Sequence, residues 1–361
     1  MSELSHDQIW MQRAIHLAQQ GQYSTRPNPN VGCVIVKDGK VVGEGFHPRA
    51  GQPHAEVFAI RQAGALTQGA TAYVTLEPCA HYGRTPPCAK GLVEAGIAQV
   101  VVACSDPNPL VAGKGIQILQ EAGIQVSTGV CEAEAAVLNR GFLKAMATGL
   151  PYVRLKVASS LDGRTAMASG ESKWITGPEA RQDVQHWRAI SGAVITGIET
   201  VLADDCLLNV RQLPDVGDIS TVVQPKRVVL DRQGRLPLDA QILQQPDTVM
   251  VMGPFRAELA QLGVIQLEIQ SLHSLLRTLK DFQIYDVLVE AGATLSSAFL
   301  QQGLVDELIS YVAPTLLGQS ARAMFNAEFE HLAEQLRFKL IEVSQVGNDV
   351  RLRLTPLQES I

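Results

Sequence analysis

The alternation of short apolar strands with amphipathic helices constrains this 361-residue chain more than any other feature. The first half is predicted to contain a helix at 5–20, strands at 31–36 and 41–46, a helix at 54–63, a strand at 72–76, a helix at 88–95, a strand at 99–103, a helix at 115–122 and a strand at 125–128. This order predicts an α/β fold, in which helices cover both faces of a sheet.

The same pattern starts again after Gly149-Leu150-Pro151, which marks a domain boundary. The predicted elements are strands at 152–158, 193–196, 226–230, 248–252 and 287–290, a helix at 293–300, and an antiparallel finish at 307–312 and 349–354. Residues 213–225 have the composition of a loop. We therefore expect two domains of ordinary size, residues 1–149 and residues 150–361.

Composition and charge limit the possible compartments and partners. The chain has no run of 18 apolar residues, and its start, MSELSHDQIW, lacks the basic and then apolar order of a signal peptide. Its six cysteines show no framework of pairs, so we expect a cytoplasmic protein with no membrane partner. Residues 1–150 carry 11 basic and 11 acidic residues and the rest carries 19 and 25, which argues against tight binding to nucleic acid.

Four residues of the first half form a complete set for metal chemistry: His54, Glu56, Cys79 and Cys88. Two thiolates and one imidazole hold zinc and leave a fourth position for water, whose pKa falls to about 7 on the metal. Glu56 is the predicted catalytic residue, which carries the water's proton to the ring nitrogen and the leaving amine. Each residue taken singly is more often an ordinary structural residue, but their order favours a zinc deaminase.

An eight-residue insert, Ala80 to Pro87, separates the two cysteines, where zinc nucleobase deaminases have two residues. The insert is polar and rich in turn residues, and it is placed to overhang the metal and contact a substrate. The other cysteines are expected to be core or incidental residues: Cys33, Cys104, Cys131 and Cys206.

Several segments in both halves share one resemblance. In the first half they are Asn28 to Gly32, His54 to Glu56, Glu77 to Cys88 and Ser105 to Pro109. In the second half they are Lys156 to Arg164, Ser172 to Thr176, Thr196 to Asp205, Val305 to Leu308 and Ala313 to Gly318. In this order they resemble the bifunctional deaminase/reductase family of riboflavin biosynthesis, and the long spacing between Cys79 and Cys88 belongs to that family's pattern.

The resemblance implies a cytidine-deaminase-like α/β/α domain, a dihydrofolate-reductase-like α/β domain and two consecutive reactions. The first hydrolyses the 2-amino group from 2,5-diamino-6-(5-phosphoribosylamino)pyrimidin-4(3H)-one. The second uses NADPH to reduce the ribosyl side chain of the resulting uracil to ribityl. The resemblance places in the deaminase pocket Asn28, His47, His81, Arg84, Asp106 and Asn108. Asn28 and Asn108 also precede proline, a common turn context.

The second half has no G-x-G-x-x-G after a strand, so the nicotinamide cofactor is implied by the resemblance alone. A strand end followed by Gly292 and a helix start is weak support, because free amides there can receive a pyrophosphate. The implied NADPH contacts are Ala158, Trp174, Thr176, Thr200, Asp204, Gly292, Ala293, Thr294 and Leu295. The implied substrate contacts are Lys156, Ser172, Arg188, Leu208, Arg211 and Glu290, and the candidate proton donors are Lys156 and Asp204.

Some interpretations stay open at this point. Trp174 could be a core aromatic, and Arg188 and Arg211 could be solvated surface charges. Four positions depart from the family pattern and put individual cofactor contacts in doubt: Gly177, Cys206, Asn209 and Arg232.

Two alternatives exist for the whole chain. One is a zinc deaminase whose second domain is inactive, and the other is a nucleic-acid-binding module on an inert deaminase scaffold. The intact Glu56 and the neutral first half argue against the second alternative. The resemblance also makes a homo-oligomer plausible.

Overall fold

The computed structural model describes residues 4–80, 87–108, 111–268 and 270–357. The chain divides into two compact units, Met1–Leu150 and Pro151–Ile361. No helix in these described ranges is long and apolar enough to cross a membrane. Short 3-10 helices lie at Gly64–Thr67, Ile219–Thr221, Gln241–Gln244, Pro246–Thr248 and Leu332–Glu334.

The first unit is a mixed sheet between two helical layers. Within the described residues the strands follow the order β2-β1-β3-β4-β5, with β1 antiparallel to β2 and β3, and β3, β4 and β5 mutually parallel. The elements are α1 (His6–Gln19), β1 (Gly32–Lys37), β2 (Lys40–Phe46), α2 (Ala55–Ala63), β3 (Thr71–Leu76), α3 (Cys88–Glu94), β4 (Gln99–Cys104), α4 (Lys114–Glu121), β5 (Gln125–Thr128), α5 (Glu132–Leu138) and α6 (Arg140–Thr148).

The alternation of side chains along β1 builds a core on each face of this sheet. Cys33 and Ile35 pack with residues of α2, α3 and α4. Val34 and Val36 pack on the other face with residues of α1 and α5. The buried β1 therefore anchors both helical layers, and the helices that begin beside the predicted metal residues rest on the first of these cores.

Close approach of α2 to β2 depends on a glycine. A Cβ atom at Gly43 would lie 2.1 Å from the Ala59 carbonyl oxygen and 2.9 Å from the Ala63 Cβ. Backbone at that distance cannot move aside without shifting the helix, so a side chain at position 43 forces α2 away from the sheet. The packing of α2 against the sheet requires glycine at this position. The same packing fixes the position of His54 at the N-terminus of the helix.

The second unit is built on one long sheet. Within the described residues its strands follow the order β11-β10-β9-β8-β12-β6-β13-β16-β15. The elements are β6 (Tyr152–Ser160), β7 (Arg164–Ala166), α7 (Pro178–Ile190), β8 (Ala193–Gly197), α8 (Ile198–Asp204), β9 (Lys226–Leu230), β10 (Val249–Met252), α9 (Ala257–Gln261), β11 (Ile265–Leu267), α10 (Leu272–Asp281), β12 (Asp286–Glu290), α11 (Ala293–Gln301), β13 (Glu307–Ala313), β14 (Arg322–Ala323), β15 (Phe338–Val346) and β16 (Asp349–Pro356).

In the sheet order, each pair of neighbouring strands from β11 through β10, β9, β8, β12 and β6 to β13 is parallel. Strand β16 is antiparallel to both of its neighbours, β13 and β15. A core that includes Trp187, Val229, Leu288 and Tyr311 lies against the sheet. The carboxyl ends of the parallel strands therefore meet along one edge, where open α/β sheets bind ligands.

The elements that the sequence predicted are confirmed to within two residues at each end, including the antiparallel finish. Residues 213–225 lack strands and long helices, as expected of a loop, apart from a short turn at Ile219–Thr221. The sequence did not predict α5 to α10, nor the short strands β7, β11 and β14, nor the edge strand β15.

Replacing Gly43 by alanine is expected to destabilise the chain by about 1–3 kcal/mol, the usual cost of overpacking. Gly91→Ala is the matched control, because a Cβ there meets only the Ile60 Cδ1 atom at 4.0 Å. Alanine is also the better helix former, so the control should be neutral or slightly stabilising. Urea unfolding of the full-length variants measures both, and equal stabilities would contradict the close-contact argument.

Candidate functional site

Three chain segments bring His54, Cys79 and Cys88 together. His54 precedes the first residue of α2, Cys79 follows the end of β3, and Cys88 begins α3. The His54 Nδ1 atom lies 3.7 Å from the Cys79 sulfur and 3.3 Å from the Cys88 sulfur, and the three donor atoms are within 4.8 Å of one another. Donors of a tetrahedral zinc lie about 3.6 Å apart, so this set fits zinc and leaves a fourth position.

The electrostatics of the trio suit a divalent cation. Hydrogen bonds to the Cys79 sulfur, the largest from the Cys88 thiol, lower the pKa of Cys79 to about 4. The same hydrogen bond raises the pKa of Cys88, so the two sulfurs compete for protons. The backbone N–H of Cys88 also donates to the Cys79 sulfur over 3.3 Å. A metal ion binds thiolates and neutral imidazole and replaces the protons that such a group would otherwise share.

Glu56 lies in the first turn of α2, two residues after His54. Its side chain is 3% exposed, and burial raises the pKa of its carboxyl group. The Oε2 atom is buried and accepts no hydrogen bond within the described part of the chain. A buried carboxylate oxygen without a partner is costly unless it serves a ligand or a proton transfer, so this atom fits the predicted acid–base role.

His47 and Asn28, two of the implied pocket residues, lie next to each other, and His47 lies near His54. The ring of His47 lies edge-on to that of His54, with centroids 5.2 Å apart. Its Nδ1 lies 3.0 Å from the Pro53 carbonyl oxygen and its Nε2 lies 3.0 Å from the Asn28 amide nitrogen. Burial lowers the pKa of His47, so a neutral ring donates to Pro53 and accepts from Asn28. The structure thus links two of the pocket residues that the resemblance implied.

Asp106 and Asn108 lie just beyond the end of β4, and Asp106 is buried. The Asp106 carboxylate accepts the backbone N–H of Asn108 over 2.8 Å. The predicted pocket residues His81 and Arg84 lie outside the described residues.

Sequence reasoning missed two residues that hold this region. Glu77 accepts backbone N–H groups from the segment 106–116. Asn139 exchanges hydrogen bonds with the backbone of Asn30, at 2.7 and 2.8 Å, and so fixes the segment that carries Asn28. Glu77 directly precedes Pro78-Cys79, which was the only sequence signal for it, and Asn139 had none.

In the second unit, the half-buried Lys156 lies beside the buried pair Arg188 and Glu290. Parallel pairing places Lys156 of β6 beside Glu290 of β12. Arg188 of α7 donates from Nε and Nη2 to the two Glu290 oxygens, at 2.5 and 3.0 Å, and the Lys156 Nζ is 3.9 Å from Oε2. Burial favours a higher pKa for Glu290, but Arg188, Lys156 and Arg211 outweigh it and lower that pKa. Burial lowers the pKa of Lys156, an effect that Glu290 partly offsets.

The implied substrate residues differ in burial. Arg188 is buried and is not a solvated charge, whereas Arg211 is exposed and lowers the pKa of Glu290 only from a distance. Leu208 is buried with a left-handed backbone, at φ 52°. Ser172 is half-buried.

The implied cofactor residues lie on several elements. Gly292 directly precedes α11 and provides no side-chain cap, which leaves the first amides of the helix for a ligand. Leu295 of α11 lies against Gly197, at the corner between β8 and α8, and Thr200 and Asp204 belong to α8. Trp174 is 68% exposed and stacks with the Arg181 guanidinium at 4.4 Å, so it is not a core aromatic. Ala158, Thr176 and Ala293 are half-buried, and Thr294 is exposed.

The four departures from the family pattern have distinct places. Gly177 begins α7 and donates its N–H to Asp349. The Asn209 carbonyl accepts from Arg188 over 3.3 Å, and burial raises the pKa of Cys206 to about 11. Arg232 is exposed.

Fold and site together define the class of protein. The first unit is a cytidine-deaminase-like α/β/α domain with a His-Cys-Cys metal site, and the second is a dihydrofolate-reductase-like α/β domain. The family model "Cytidine and deoxycytidylate deaminase zinc-binding region" matches residues 4–104, and "RibD C-terminal domain" matches residues 151–352. The chain belongs to the RibD family of bifunctional deaminase/reductases of riboflavin biosynthesis.

Individual relatives cover the whole length. The riboflavin biosynthesis protein RibD of Escherichia coli is 51% identical, over 96% of this chain and 99% of that protein. The RibD structure of Acinetobacter baumannii, 76% identical, covers 99% of this chain and 100% of its own with a TM-score of 0.97. The diaminohydroxyphosphoribosylaminopyrimidine deaminase/5-amino-6-(5-phosphoribosylamino)uracil reductase of Thermotoga maritima, 35% identical, covers 98% and 99% with a TM-score of 0.87.

The purified chain is expected to contain about one zinc ion, because one trio of suitable donors lies in the described residues. Cys88→Ala should reduce the zinc content at least tenfold. Cys104→Ala is the matched control, since Cys104 is also a buried free cysteine of the first unit but contacts the Glu132 carbonyl. Elemental analysis after dialysis measures the content, and zinc retained by Cys88→Ala would contradict the assignment of the ligands.

Proposed function

We propose that this chain catalyses two consecutive steps on a phosphoribosyl pyrimidine. The first is hydrolysis of the 2-amino group of 2,5-diamino-6-(5-phosphoribosylamino)pyrimidin-4(3H)-one, which releases ammonia. The second is NADPH-dependent reduction of 5-amino-6-(5-phosphoribosylamino)uracil at C1′ of the ribosyl group. One observation carries the proposal: the same chain holds two sets of groups. The first is the metal trio with a Glu56 oxygen that has no hydrogen-bond partner among the described residues, and the second is the Lys156–Arg188–Glu290 cluster of the second unit.

In the first step, His54, Cys79 and Cys88 would hold zinc, which when bound activates water as a nucleophile. Glu56 accepts a proton from the attacking water and delivers it to the ring nitrogen and then to the leaving amine. Burial supports this role because it raises the pKa of Glu56 toward neutrality, where a group can both take and return a proton. Water supplies the oxygen of the product, and the amine leaves as ammonia.

Recognition of the pyrimidine is assigned to groups with both donor and acceptor atoms. The neutral His47 ring orients the Asn28 side chain by accepting a hydrogen bond from its NH₂ group. The Asn28 oxygen is then left to accept a hydrogen bond from an N–H group of the substrate. Asp106 and Asn108 supply further amide and carboxylate atoms next to the end of β4. His81 and Arg84 complete the proposal on chemical grounds, with Arg84 as a bidentate grip for the phosphate.

In the second step, NADPH would supply the hydride. The uncapped start of α11 is suited to bind the pyrophosphate of NADPH. The exposed Trp174, together with Thr200 and Asp204 of α8, would contact the other parts of the cofactor. Lys156 delivers the proton that the reduction consumes, because burial lowers its pKa and makes it a better donor at neutral pH. Glu290, held by Arg188, orients Lys156 and can accept hydrogen bonds from ribose hydroxyls.

The proposal includes a homo-oligomer in a reducing, cytoplasmic compartment. A disulfide between Cys79 and Cys88 would remove two metal ligands, so the thiols must stay reduced. Strand β15 lies at an edge of the described sheet and exposes Leu340, Ile341 and Val343 by 43–58%. A long edge strand with apolar side chains is suited to association with another chain.

Two variants should separate the two reactions. Glu56→Gln should lower the rate of ammonia release about 100-fold or more. The variant should retain zinc and should oxidise NADPH at the normal rate when the deaminated uracil is supplied as substrate. Lys156→Met should do the reverse, with NADPH oxidation lowered by about 100-fold and ammonia release unchanged. Ammonia and the absorbance of NADPH are measured in parallel, with each substrate supplied in turn.

The same assay distinguishes the alternatives. Ammonia release without NADPH oxidation in the wild-type chain would leave a deaminase with an inactive second domain. Full ammonia release by Glu56→Gln would contradict the proton-transfer role. Salt-sensitive, tight association with RNA in a filter-binding test, without either activity, would favour the nucleic-acid-binding alternative.

Light scattering should give a mass that is a multiple of the 38.9 kDa chain. Val343→Glu places a charge on the edge strand and should lower that mass to one chain, because burying an unpaired charge opposes association. Leu332→Glu is the control, since Leu332 is 81% exposed on a 3-10 turn and should leave the mass unchanged. A wild-type mass of one chain would contradict the oligomer.

A further inference from the structure

Glu77 is a buried carboxylate whose partners are all backbone amides. It follows the end of β3 and is 4% exposed. Its Oε1 accepts N–H groups of Gly115 at 3.0 Å and Ile116 at 3.4 Å. Its Oε2 accepts those of Gly113 at 3.1 Å and Asp106 at 3.3 Å. Within the described residues, no lysine or arginine forms an ion pair with it, so four amides carry the whole stabilisation of this charge.

These amides belong to the two ends of one segment. Asp106 follows β4, and the other three donors lie at the start of α4. The Glu77 backbone N–H also donates to the Cys104 carbonyl over 2.9 Å. The loop from β4 to α4 is therefore closed on a single side chain.

The closed segment carries two residues of the proposed pocket. Asp106 accepts the Asn108 N–H, and the Asn108 carbonyl in turn accepts the N–H groups of Val111 and Ala112, each at 2.8 Å. A chain of hydrogen bonds thus runs from Glu77 through Asp106 to Asn108. At its other end the start of α4 is pressed on the metal corner, since a Cβ at Gly115 would lie 1.9 Å from the Pro78 carbonyl oxygen.

We propose that Glu77 is a positioning residue for the deamination, which sets Asp106 and Asn108 against the pyrimidine without touching it. The inference rests on the proposed deaminase function. It differs from a role in folding alone, because Glu77 would act on substrate binding through Asp106. It also differs from a role at the metal, because its carboxylate binds the loop and none of the three ligand side chains.

The chemistry of the site requires a carboxylate. Each oxygen accepts two N–H groups, which a glutamine cannot reproduce because its NH₂ group is a donor. In Glu77→Gln, the side-chain NH₂ group would face one pair of backbone N–H groups, and donors cannot hydrogen-bond to each other. The loop must then open at Asp106 or at the start of α4. Glu77→Asp keeps all four acceptor sites and only shortens the reach, so it should perturb the loop less.

Steady-state ammonia release from the diaminopyrimidine nucleotide tests this proposal. Glu77→Gln should raise KM about tenfold or more, with kcat within about threefold of wild type and zinc content unchanged, and Glu77→Asp should raise KM less. The matched control is Glu121→Gln, the same change on an exposed residue of α4, which should leave both constants unchanged. An unchanged KM, or a loss of zinc in both Glu77 variants, would overturn the proposal.

A double-mutant cycle separates positioning from folding. If Glu77 acts through the segment of Asp106 and Asn108, the KM increase of Glu77→Gln combined with Asp106→Asn should be smaller than the product of the two single increases. Multiplying effects would instead indicate an independent, structural role and overturn the inference. A wild-type chain that releases no ammonia would contradict the proposed deamination, whereas an active wild type with an unaffected Glu77→Gln would contradict only the role of Glu77.

Discussion

The meeting of three chain segments at the imidazole of His54 is the interaction on which the rest of the first unit depends. The start of α2, the exit from β3 and the start of α3 each bring one donor, and each segment is held by the sheet core beneath it. Two thiols and an imidazole this close compete for protons, so the arrangement is suited to a cation that removes the competition. Glu56 then lies beside the donors because it belongs to the same helical turn as His54.

A different constraint organises the second unit, where charges are buried at the carboxyl edge of a parallel sheet. Glu290 is held there by Arg188, and its neighbour on the next strand is Lys156. Removing Arg188 or Glu290 would leave the other charge of this pair buried without its main partner, which costs more than the pair contributes. The cluster lies near the edge where open α/β sheets place their ligands.

The secondary structure was predictable where burial and periodicity agree. Strand β1 is buried along nearly its whole length and reads as an apolar run. Strand β15 was not predicted because most of its nine residues are exposed and none is fully buried. Its sequence therefore lacks the alternation of apolar and polar residues that marks a strand with one face on a core. Helices α5 and α6 were missed because they are short and separate at Asn139, whose side chain is fixed by Asn30 more than 100 residues earlier.

The sequence by itself predicted the metal donors and the proposed acid–base residue, because His54 and Glu56 are two residues apart at one helix start and cysteine has a distinct chemistry. It also determined the α/β class of both units through the period of their apolar residues. Only the tertiary structure decided which partners hold the predicted site residues. In the first unit His47 contacts Asn28, and Glu77 accepts a hydrogen bond from the loop that carries Asp106. In the second unit Arg188 donates to Glu290. The physical reason is that hydrogen bonds of Glu77 join residues 29 to 39 positions apart, and no local pattern records such a partner.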